Sequence, residues 1–232
     1  MSAIKIDRVG KEFKSGSGTV VALDDINLDV PAGEFVAVVG PSGCGKSTLL
    51  RLIAGLIPVS TGSIAILSKP VRRPVNDVGI VFQQPVLLDW RDVLGNVLFQ
   101  IDMRGLDVDA YRPRAMKLLE QVGLADFAGR RPYELSGGMK QRASIARALV
   151  HEPPLLMMDE PFGAVDPITR VRLQDSLIAI QHELGKTIVI VTHDFEEATK
   201  LGDKVLILSE GGHVEQYASP EEILASPATP FV

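Results

Sequence analysis

The stretch from Gly33 to Ala54 constrains the fold of this chain more than any other part of its sequence. An apolar run, Gly33-Glu-Phe-Val-Ala-Val-Val39, leads into Gly40-Pro-Ser-Gly-Cys-Gly-Lys-Ser47, and helix-forming residues follow to Ala54. A buried strand that enters a glycine-rich turn and then a helix fits the Gly-x-x-x-x-Gly-Lys-Ser pattern of a phosphate-binding loop. The glycines allow backbone N–H groups to converge on phosphate oxygens, and the helix directs its positive end at the same anion.

The polar residues of this loop have separate chemical tasks in a nucleotide site. Lys46 supplies a positive charge to the outer phosphates, and the Ser47 hydroxyl can ligate Mg²⁺. The alternative is a glycine turn before an ordinary helix, but the preceding apolar strand favours phosphate binding. The loop residues predicted to contact the nucleotide are Gly40, Pro41, Ser42, Gly43, Cys44, Gly45, Lys46, Ser47 and Thr48.

A second apolar run, Leu155-Leu-Met-Met-Asp159-Glu160, ends in two carboxylates. A buried strand of this kind delivers its carboxylates to the carboxyl edge of an open α/β sheet, where such sheets bind ligands. We predict that Asp159 holds Mg²⁺, directly or through water, and that Glu160 polarises the attacking water. Together with a phosphate loop, these residues indicate an enzyme that hydrolyses ATP.

The segment Thr192-His193-Asp194 ends another apolar run and belongs at the same sheet edge. A histidine there can hydrogen-bond the γ-phosphate and the attacking water, although a lone histidine is more often structural. His151, His182 and His213 have no such context and are interpreted as surface or packing residues. No His/Cys cluster has the spacing of a metal site.

Strand-like and helical runs alternate over most of the chain, which predicts an α/β fold of the P-loop NTPase type with a mainly parallel sheet flanked by helices. Residues 4–30 have the alternating, turn-rich character of an N-terminal antiparallel β subdomain. Strand signals vanish from about Arg91 to Val150, which indicates an inserted helical subdomain. Predicted strands cover 33–39, 63–67, 77–82, 155–158, 187–192 and 204–209, and predicted helices cover 46–54, 114–122, 144–150, 168–184 and 220–225.

We predict one domain over residues 1–232, with residues 1–90 and 151–232 as the nucleotide-binding core and about 91–150 as the helical subdomain. The net charge of −5 argues against nucleic acid as a partner, because nucleic-acid binding needs a basic face. The single cysteine, Cys44, favours a reducing compartment. No apolar run approaches the roughly 20 residues that span a bilayer. We therefore predict a soluble, cytoplasmic protein that reaches a membrane only through a partner.

The segment Leu135-Ser136-Gly137-Gly138-Met139-Lys140-Gln141-Arg142 opens a helix. Ser136 is a good N-cap, and the glycines leave the backbone N–H groups of the helix N-terminus accessible. This is a second anion site in one chain, although a plain helix cap is the alternative. Because one triphosphate already has the phosphate loop, the second site suggests a head-to-tail pair of subunits that share two ATP molecules.

Leu-Ser-Gly-Gly before Gln-Arg, between a phosphate loop and Met-Asp-Glu-Pro, resembles the ATPase subunit of ATP-binding cassette (ABC) transporters. The resemblance extends from Ile4 to about Ser226 and implies the following roles. Phe13 corresponds to the aromatic residue that stacks on adenine. Gln83, in Val-Phe-Gln-Gln, corresponds to the glutamine that contacts Mg²⁺ and water and links to the membrane subunit.

The resemblance also implies roles at the dimer interface and for hydrolysis. Ser136, Gly137 and Gly138 correspond to the signature that closes on the γ-phosphate of the partner's ATP, and Asp166 to the loop that crosses the interface. Glu160 then corresponds to the catalytic base and His193 to the switch histidine. Met139 stands where glutamine is commoner, and Val165 replaces a frequent leucine. Methionine is familiar in importer ATPases, so neither change suggests inactivation.

Two segments give conflicting indications of the transported solute. The segment from Gln83 to Val97, with Leu-Leu-Asp-Trp90-Arg-Asp-Val, is similar to ATPases of nitrate, sulfonate and taurine importers. The segment Phe162 to Arg170 and the pair Gly202-Asp203 look more like those of glycine betaine and osmoprotectant importers. Trp90 is interpreted either as part of a partner groove or as a core anchor.

The resemblance implies a transmembrane permease subunit and a second ATPase copy as partners, and indirectly a solute-binding protein. We predict an ATPase at the inner face of the cell membrane that powers import of a nitrate-, sulfonate- or taurine-type solute, with ATP and Mg²⁺ as ligands. The alternatives are an osmoprotectant importer ATPase, a soluble ABC ATPase that remodels a partner, and an ATPase linked to export. The coiled coils and zinc insertions of repair and chromosome relatives are absent from this sequence.

Overall fold

The computed structural model describes residues 2–16 and 18–232, so Met1 and Ser17 of the predicted domain lie outside the described residues. The strands are β1 (Ser2–Ser15), β2 (Gly18–Pro31), β3 (Phe35–Val39), β4 (Thr61–Ile66), β5 (Lys69–Pro70), β6 (Val78–Val81), β7 (Leu155–Asp159), β8 (Thr187–Val191), β9 (Lys204–Ser209) and β10 (His213–Ala218). The helices are α1 (Lys46–Ile53), α2 (Val93–Val97), α3 (Phe99–Met103), α4 (Val108–Gln121), α5 (Gly137–Leu149), α6 (Pro167–Leu184), α7 (Phe195–Leu201) and α8 (Pro220–Ala225).

The larger sheet has six strands in the order β10-β9-β3-β8-β7-β6. Its neighbours run parallel except for β10, which pairs antiparallel with β9. Every residue of β3, β7 and β8 is buried, which explains why these strands are continuous apolar runs rather than alternating ones. The predicted mainly parallel sheet is confirmed.

The second sheet has the order β2-β1-β4-β5, and all its pairs are antiparallel. The predicted N-terminal antiparallel subdomain is therefore confirmed. This sheet lies directly against the phosphate loop, because a Cβ placed on Gly45 would be 2.4 Å from the carbonyl oxygen of Ala22 in β2. The nucleotide-binding loop is thus enclosed between the two sheets.

Each face of the larger sheet is covered by its own hydrophobic cluster. Ala37 and Met158 belong to the cluster that contains α6 and the helices between residues 91 and 150. Their neighbours Val38 and Met157 point the other way, into the cluster that contains α1 and the second sheet. Successive residues of a strand face opposite sides, so the burial of both faces confirms helices on either side of the sheet.

Between Arg91 and Val150 the described chain contains α2 to α5 and no strand, as predicted. The fully buried Asn96 fixes the entry into this region. Its amide donates to the carbonyls of Leu88, Arg91 and Asp92, and its carbonyl accepts from the Leu88 N–H at 2.7 Å. The loop that follows β6 is therefore held in one conformation. That the helical region forms a separate subdomain stays a prediction.

Several elements differ from the sequence-based expectation. Helix α4 begins at Val108 and not at Arg114, since the Asp107 side chain caps it by accepting from the N–H groups of Asp109 and Ala110. Strand β10 and helix α7 had not been predicted. In the part of the chain that the structure describes, no helix is both long enough and apolar enough to cross a bilayer.

Candidate functional site

The predicted nucleotide site lies at the carboxyl edge of the larger sheet. Strand β8 pairs in parallel with β3 on one side and with β7 on the other. The residues that follow the three strands therefore meet at one edge. Gly40 follows β3, Glu160 follows β7 and Thr192 follows β8. The three chemistry-bearing segments predicted from sequence are brought together in this way.

The phosphate loop wraps closely against its neighbours. Gly45 has a φ of 103°, in the left-handed region that glycine adopts without strain, and it directly precedes α1. Gly40 leaves no room for a side chain, because a Cβ there would be 2.2 Å from the Leu208 carbonyl oxygen. The buried Lys46 ammonium donates to the carbonyls of Gly40 at 2.7 Å and Pro41 at 2.8 Å. Two carbonyl groups of the phosphate loop therefore fix the position of the Lys46 ammonium.

Ser47 and Asp159 are in direct contact at the start of α1 and the end of β7. The Ser47 hydroxyl donates to Asp159 Oδ1 at 3.0 Å. Burial raises the pKa of the Asp159 carboxyl, and the Ser47 hydrogen bond opposes this rise. A hydroxyl and a buried carboxylate are hard oxygen ligands, which suits Mg²⁺. Among the described residues, no group of three or more His, Cys, Asp or Glu side chains could hold a metal ion.

Glu160 lies between Gln83 and His193. Gln83 Nε2 donates to Glu160 Oε2 at 2.9 Å, and His193 Nδ1 lies 3.6 Å from the same oxygen. Glu160 also has a φ of 44°, a left-handed conformation that is uncommon outside glycine. Such backbone strain concentrates at functional sites. The three polar residues predicted from separate parts of the sequence therefore form one cluster.

A small pocket beside Glu160 includes a residue that the sequence argument missed. Glu160, Thr192, His193 and Arg170 all line it. Arg170 Nε is buried without a hydrogen-bond partner in the described chain, while Nη2 donates to the Val165 carbonyl at 3.4 Å. Arg170 follows Asp166 by one helical turn, and that spacing was the available signal.

The predicted second anion site lies at the start of α5. The Ser136 hydroxyl accepts a hydrogen bond from the Met139 N–H at 3.3 Å, as expected for an N-cap. A Cβ on Gly137 would meet nothing within 4 Å, whereas one on Gly138 would be 2.8 Å from the Ala164 carbonyl oxygen. Within the described residues, no hydrogen bond joins Ser136, Gly137 or Gly138 to the phosphate loop.

Asp166 caps α6 and belongs to the loop that contacts Gly138. Its side chain accepts from the Thr169 N–H at 2.9 Å. This hydrogen bond lowers the pKa of the Asp166 carboxyl, and the hydroxyl of Thr169 adds to the effect. The side chain is exposed, so it is accessible to another molecule.

Phe13 lies at the far end of the β1–β2 hairpin. Its ring is 44% exposed, and the Lys11 ammonium lies 5.0 Å from the ring centroid on one face. Lys11 was not among the predicted site residues. Its position two residues before Phe13, on the same face of a strand, was the signal that could have identified it.

A cavity of about 260 Å³ lies between the end of α1, β6 and α5. Leu56, Phe82, Arg104, Arg147 and His151 are among the residues that line it. Both ring nitrogens of His151 are buried without a hydrogen-bond partner in the described residues. Burial, and after it the positive charge of Arg104, lowers the pKa of His151 to about 4. Burial also lowers the pKa of Arg147. The neutral ring of His151 therefore presents one unused donor and one unused acceptor to this cavity.

Trp90 is not a core anchor. Its side chain is 72% exposed, and its carbonyl accepts a hydrogen bond from the Arg131 guanidinium. Of the two interpretations of Trp90, only exposure on a surface agrees with the structure.

Comparison with known proteins gives consistent results. The family model described as ABC transporter matches residues 23–163. The taurine import ATP-binding protein TauB of Rhizobium johnstonii is 46% identical over 207 residues, which cover 89% of this chain and 79% of that protein. The aliphatic sulfonates import ATP-binding protein SsuB 2 of Pseudomonas fluorescens is 46% identical over 202 residues, or 87% of this chain and 73% of that protein.

Solved structures show the same likeness. The dimeric structure of MJ0796, a bacterial ABC transporter cassette, has a TM-score of 0.87 at 35% identity and covers 93% of this chain and 98% of its own. A dimeric post-hydrolysis state of MJ0796 bound to ADP and Pi has a TM-score of 0.86 at 34% identity, with the same two coverages.

Proposed function

This chain belongs to the ABC transporter family and is an ATPase, and from that premise we propose that it powers a membrane importer of small organic anions such as taurine and aliphatic sulfonates. The observation that carries the proposal is the 46% identity to a taurine import ATP-binding protein over 89% of the chain. The cluster of Ser47, Gln83, Asp159, Glu160 and His193 at one sheet edge supports the hydrolytic part.

ATP binds across the phosphate loop in this proposal. Backbone N–H groups of residues 42–48 and the Lys46 ammonium hold the phosphates, and the exposed ring of Phe13 stacks on adenine. Glu160 accepts the proton of the attacking water, and His193 orients the water and the γ-phosphate. Gln83 donates to Glu160 and therefore lies where it can also reach the attacking water. Catalysis rests on positioning and charge stabilisation, as in other phosphoryl transfers.

Mg²⁺ is proposed as a cofactor that Ser47, Asp159 and Gln83 would hold. The direct contact between the Ser47 hydroxyl and the buried Asp159 carboxylate supports this placement. The ion supplies positive charge next to the outer phosphate oxygens when bound.

The functional unit is proposed to be a head-to-tail dimer. Ser136, Gly137 and Gly138 have accessible N–H groups at the start of α5 but no hydrogen bond to the phosphate loop among the described residues of the chain. Their proposed ligand is the γ-phosphate of the partner's ATP, and the exposed Asp166 crosses the interface. The dimeric cassettes with TM-scores of 0.86 and 0.87 support this arrangement.

The permease subunit is proposed to bind the cavity between α1, β6 and α5 and the adjoining segment from Gln83 to Asn96. The unpartnered His151 nitrogens, one a donor and one an acceptor in the neutral ring, suit a permease segment with hydrogen-bonding groups, and the exposed Trp90 enlarges the contact. Gln83 then connects this surface to Glu160. The chain is thereby attached to the cytoplasmic face of the membrane, and a solute-binding protein delivers solute on the other side.

Deletion of the gene from its host tests the proposed solute. We expect the deletion to abolish uptake of labelled taurine or an alkanesulfonate, with glycine betaine uptake unchanged. The wild-type gene should restore uptake, and Lys46→Ala should not, because it removes the charge that holds the phosphates.

Loss of glycine betaine uptake with normal sulfonate uptake would reject the anion proposal and support the osmoprotectant alternative. Normal uptake of every solute, with loss of an export activity or of a soluble assembly process, would reject import itself.

A further inference from the structure

We propose that Lys11 is a positioning residue for the nucleotide base: its ammonium holds one face of the Phe13 ring so that the opposite face stacks on adenine. The inference rests on the proposed stacking role of Phe13 and adds a residue that neither the sequence motifs nor the comparisons indicate. Lys11 and Phe13 together then form the surface on which the base stacks, called the base platform below.

The environment of Lys11 is unusual for a lysine. The residue is only 8% exposed, although it lies in a strand whose other lysines, Lys5 and Lys14, are exposed. Its ammonium donates to the Pro58 carbonyl at 2.8 Å and lies 5.0 Å from the centre of the Phe13 ring. Among the described residues it forms no ion pair with a carboxylate. A buried ammonium is costly unless it is partnered, so the ring face and one carbonyl are its compensating partners.

The register of the hairpin places Phe13 within reach of a bound nucleotide. Lys11 pairs with Leu23, and Phe13 pairs with Val20 farther along the same two strands. The Leu23 side chain comes within 2.7 Å of the position that a Cβ on Gly45 would occupy, so the Lys11–Leu23 pair of the hairpin contacts the phosphate loop. Phe13 lies two residues beyond this pair along β1, or about 7 Å. A nucleoside that extends from the phosphate loop along the hairpin therefore meets the ring.

Three hydrogen bonds connect the platform to the loop that follows α1. Besides the Lys11–Pro58 bond, the Gly10 carbonyl accepts from the Ser60 N–H at 2.9 Å, and the Glu12 N–H donates to the Ser60 hydroxyl at 3.0 Å. The same helix begins with the phosphate-binding residues. Base platform and phosphate loop are thus attached to opposite ends of α1, which fixes the distance between them.

The contact also changes the electronic character of the ring. The face of an aromatic ring carries negative charge, and a cation over one face attracts that charge. The opposite face then repels the π-electrons of adenine less. A neutral side chain at position 11 leaves the ring both less fixed and more repulsive, so base affinity falls while phosphate affinity does not.

The test compares ATP with inorganic tripolyphosphate, which has the phosphates but no base. Dissociation constants are measured by calorimetry on the full chain for Lys11→Met, Lys11→Gln and Lys11→Arg. Lys11→Gln keeps a donor for Pro58 and remains informative if Lys11→Met fails to fold. We expect Met and Gln to raise the Kd of ATP about threefold to tenfold, the range of a partly desolvated cation–π contact. The Kd of tripolyphosphate should stay unchanged, and Arg should retain wild-type affinity for ATP.

Lys5→Met is the matched control, since it removes the same charge from an exposed position of the same strand. Unchanged ATP affinity in Lys11→Gln, or an equal loss for ATP and tripolyphosphate, overturns the proposal, because the second result means that Lys11 only supports the fold. Phe13→Leu distinguishes a wrong role for Phe13 from a wrong role for Lys11. If Phe13→Leu leaves ATP affinity unchanged, the stacking role of Phe13 itself is wrong. If it weakens ATP but Lys11→Gln does not, only the role of Lys11 is wrong.

Discussion

Glu160 has two polar neighbours on one oxygen, and this arrangement determines what its replacement does. Glu160→Gln keeps the size of the side chain but removes its ability to accept a proton. We expect the rate of ATP hydrolysis to fall by about 100-fold or more, the usual scale for a lost general base, while ATP binding persists. Phosphate release and calorimetry measure the two properties. Glu221→Gln, at an exposed position of α8, is the control, and near-normal hydrolysis by Glu160→Gln would remove the assigned base.

His151 predicts a dependence of stability on pH. Its pKa is lowered from 6.5 to about 4, chiefly by burial. Between these values the unfolded chain binds a proton that the folded chain does not, so the free energy of unfolding falls as the pH drops below 6.5 and levels off below about 4. Because the ring is only partly buried, we expect a loss of roughly 1–2 kcal/mol over this window.

Urea unfolding of His151→Asn between the same pH values provides the comparison. The variant lacks the titrating ring and should lose less stability on acidification than the wild type. His182→Asn, which replaces an exposed histidine on α6, should keep the full wild-type dependence. Equal pH dependence in wild type and His151→Asn would show that His151 is not the responsible group.

At the scale of elements, the continuous apolar strands and the long helix α6 were predictable, whereas the edge strand β10 and the short helix α7 were not. Strands β3, β7 and β8 are buried on both faces, so each is a continuous apolar run that can be identified in the sequence. Strand β10 is an edge strand with no fully buried residue, and its sequence therefore has no such pattern. Helix α4 was started too late because Pro113 has no N–H for a helical hydrogen bond and resembles a helix start.

In the site, too, residues in recognisable sequence patterns were predicted and the others were not. Residues in fixed local patterns, such as Lys46 and Ser47, were predicted and lie together at the sheet edge, and Asp159 contacts Ser47. Lys11 and Arg170 were missed because a lysine two residues before an aromatic residue, or an arginine one turn after an N-cap aspartate, is too common a spacing to indicate a site without the structure.

The packing of α5 on the loop before α6 yields a prediction for two adjacent glycines. A Cβ on Gly138 would be 2.8 Å from the Ala164 carbonyl oxygen, whereas one on Gly137 would have no neighbour within 4 Å. Alanine raises helix propensity by up to about 1 kcal/mol over glycine. Gly137→Ala should therefore stabilise the chain, and Gly138→Ala should lose this gain because the loop must shift. Urea unfolding measures the stability of both variants. Equal stabilisation would mean that the loop at Ala164 moves aside at no cost in free energy.

For the whole molecule, the two anion sites raise the question of how one chain uses both. The phosphate loop and the start of α5 share no hydrogen bond within the described chain, yet each offers backbone N–H groups to an anion. In the proposed function, residues 40–48 already bind one triphosphate. In the proposed head-to-tail dimer a second copy gives the α5 site a ligand, and the exposed Asp166 follows directly on the Ala164–Val165 segment that contacts Gly138.

Gly137→Asp tests this assembly without disturbing the fold. The new side chain has open space around its Cβ, and a carboxylate in the first turn of a helix is favourable, so the isolated chain should remain folded and bind ATP on its own phosphate loop. In the dimer, however, the carboxylate faces the partner's γ-phosphate, and such a like-charge contact costs several kcal/mol. Sedimentation with ATP, in the Glu160→Gln background where hydrolysis is blocked, should show a dimer that Gly137→Asp converts to monomer. Gly137→Ala adds bulk without charge and should remain dimeric. A second measurement is the rate of ATP hydrolysis by Gly137→Asp with Glu160 intact. If Gly137→Asp still forms the dimer and this rate is normal, the partner's γ-phosphate does not bind at Gly137.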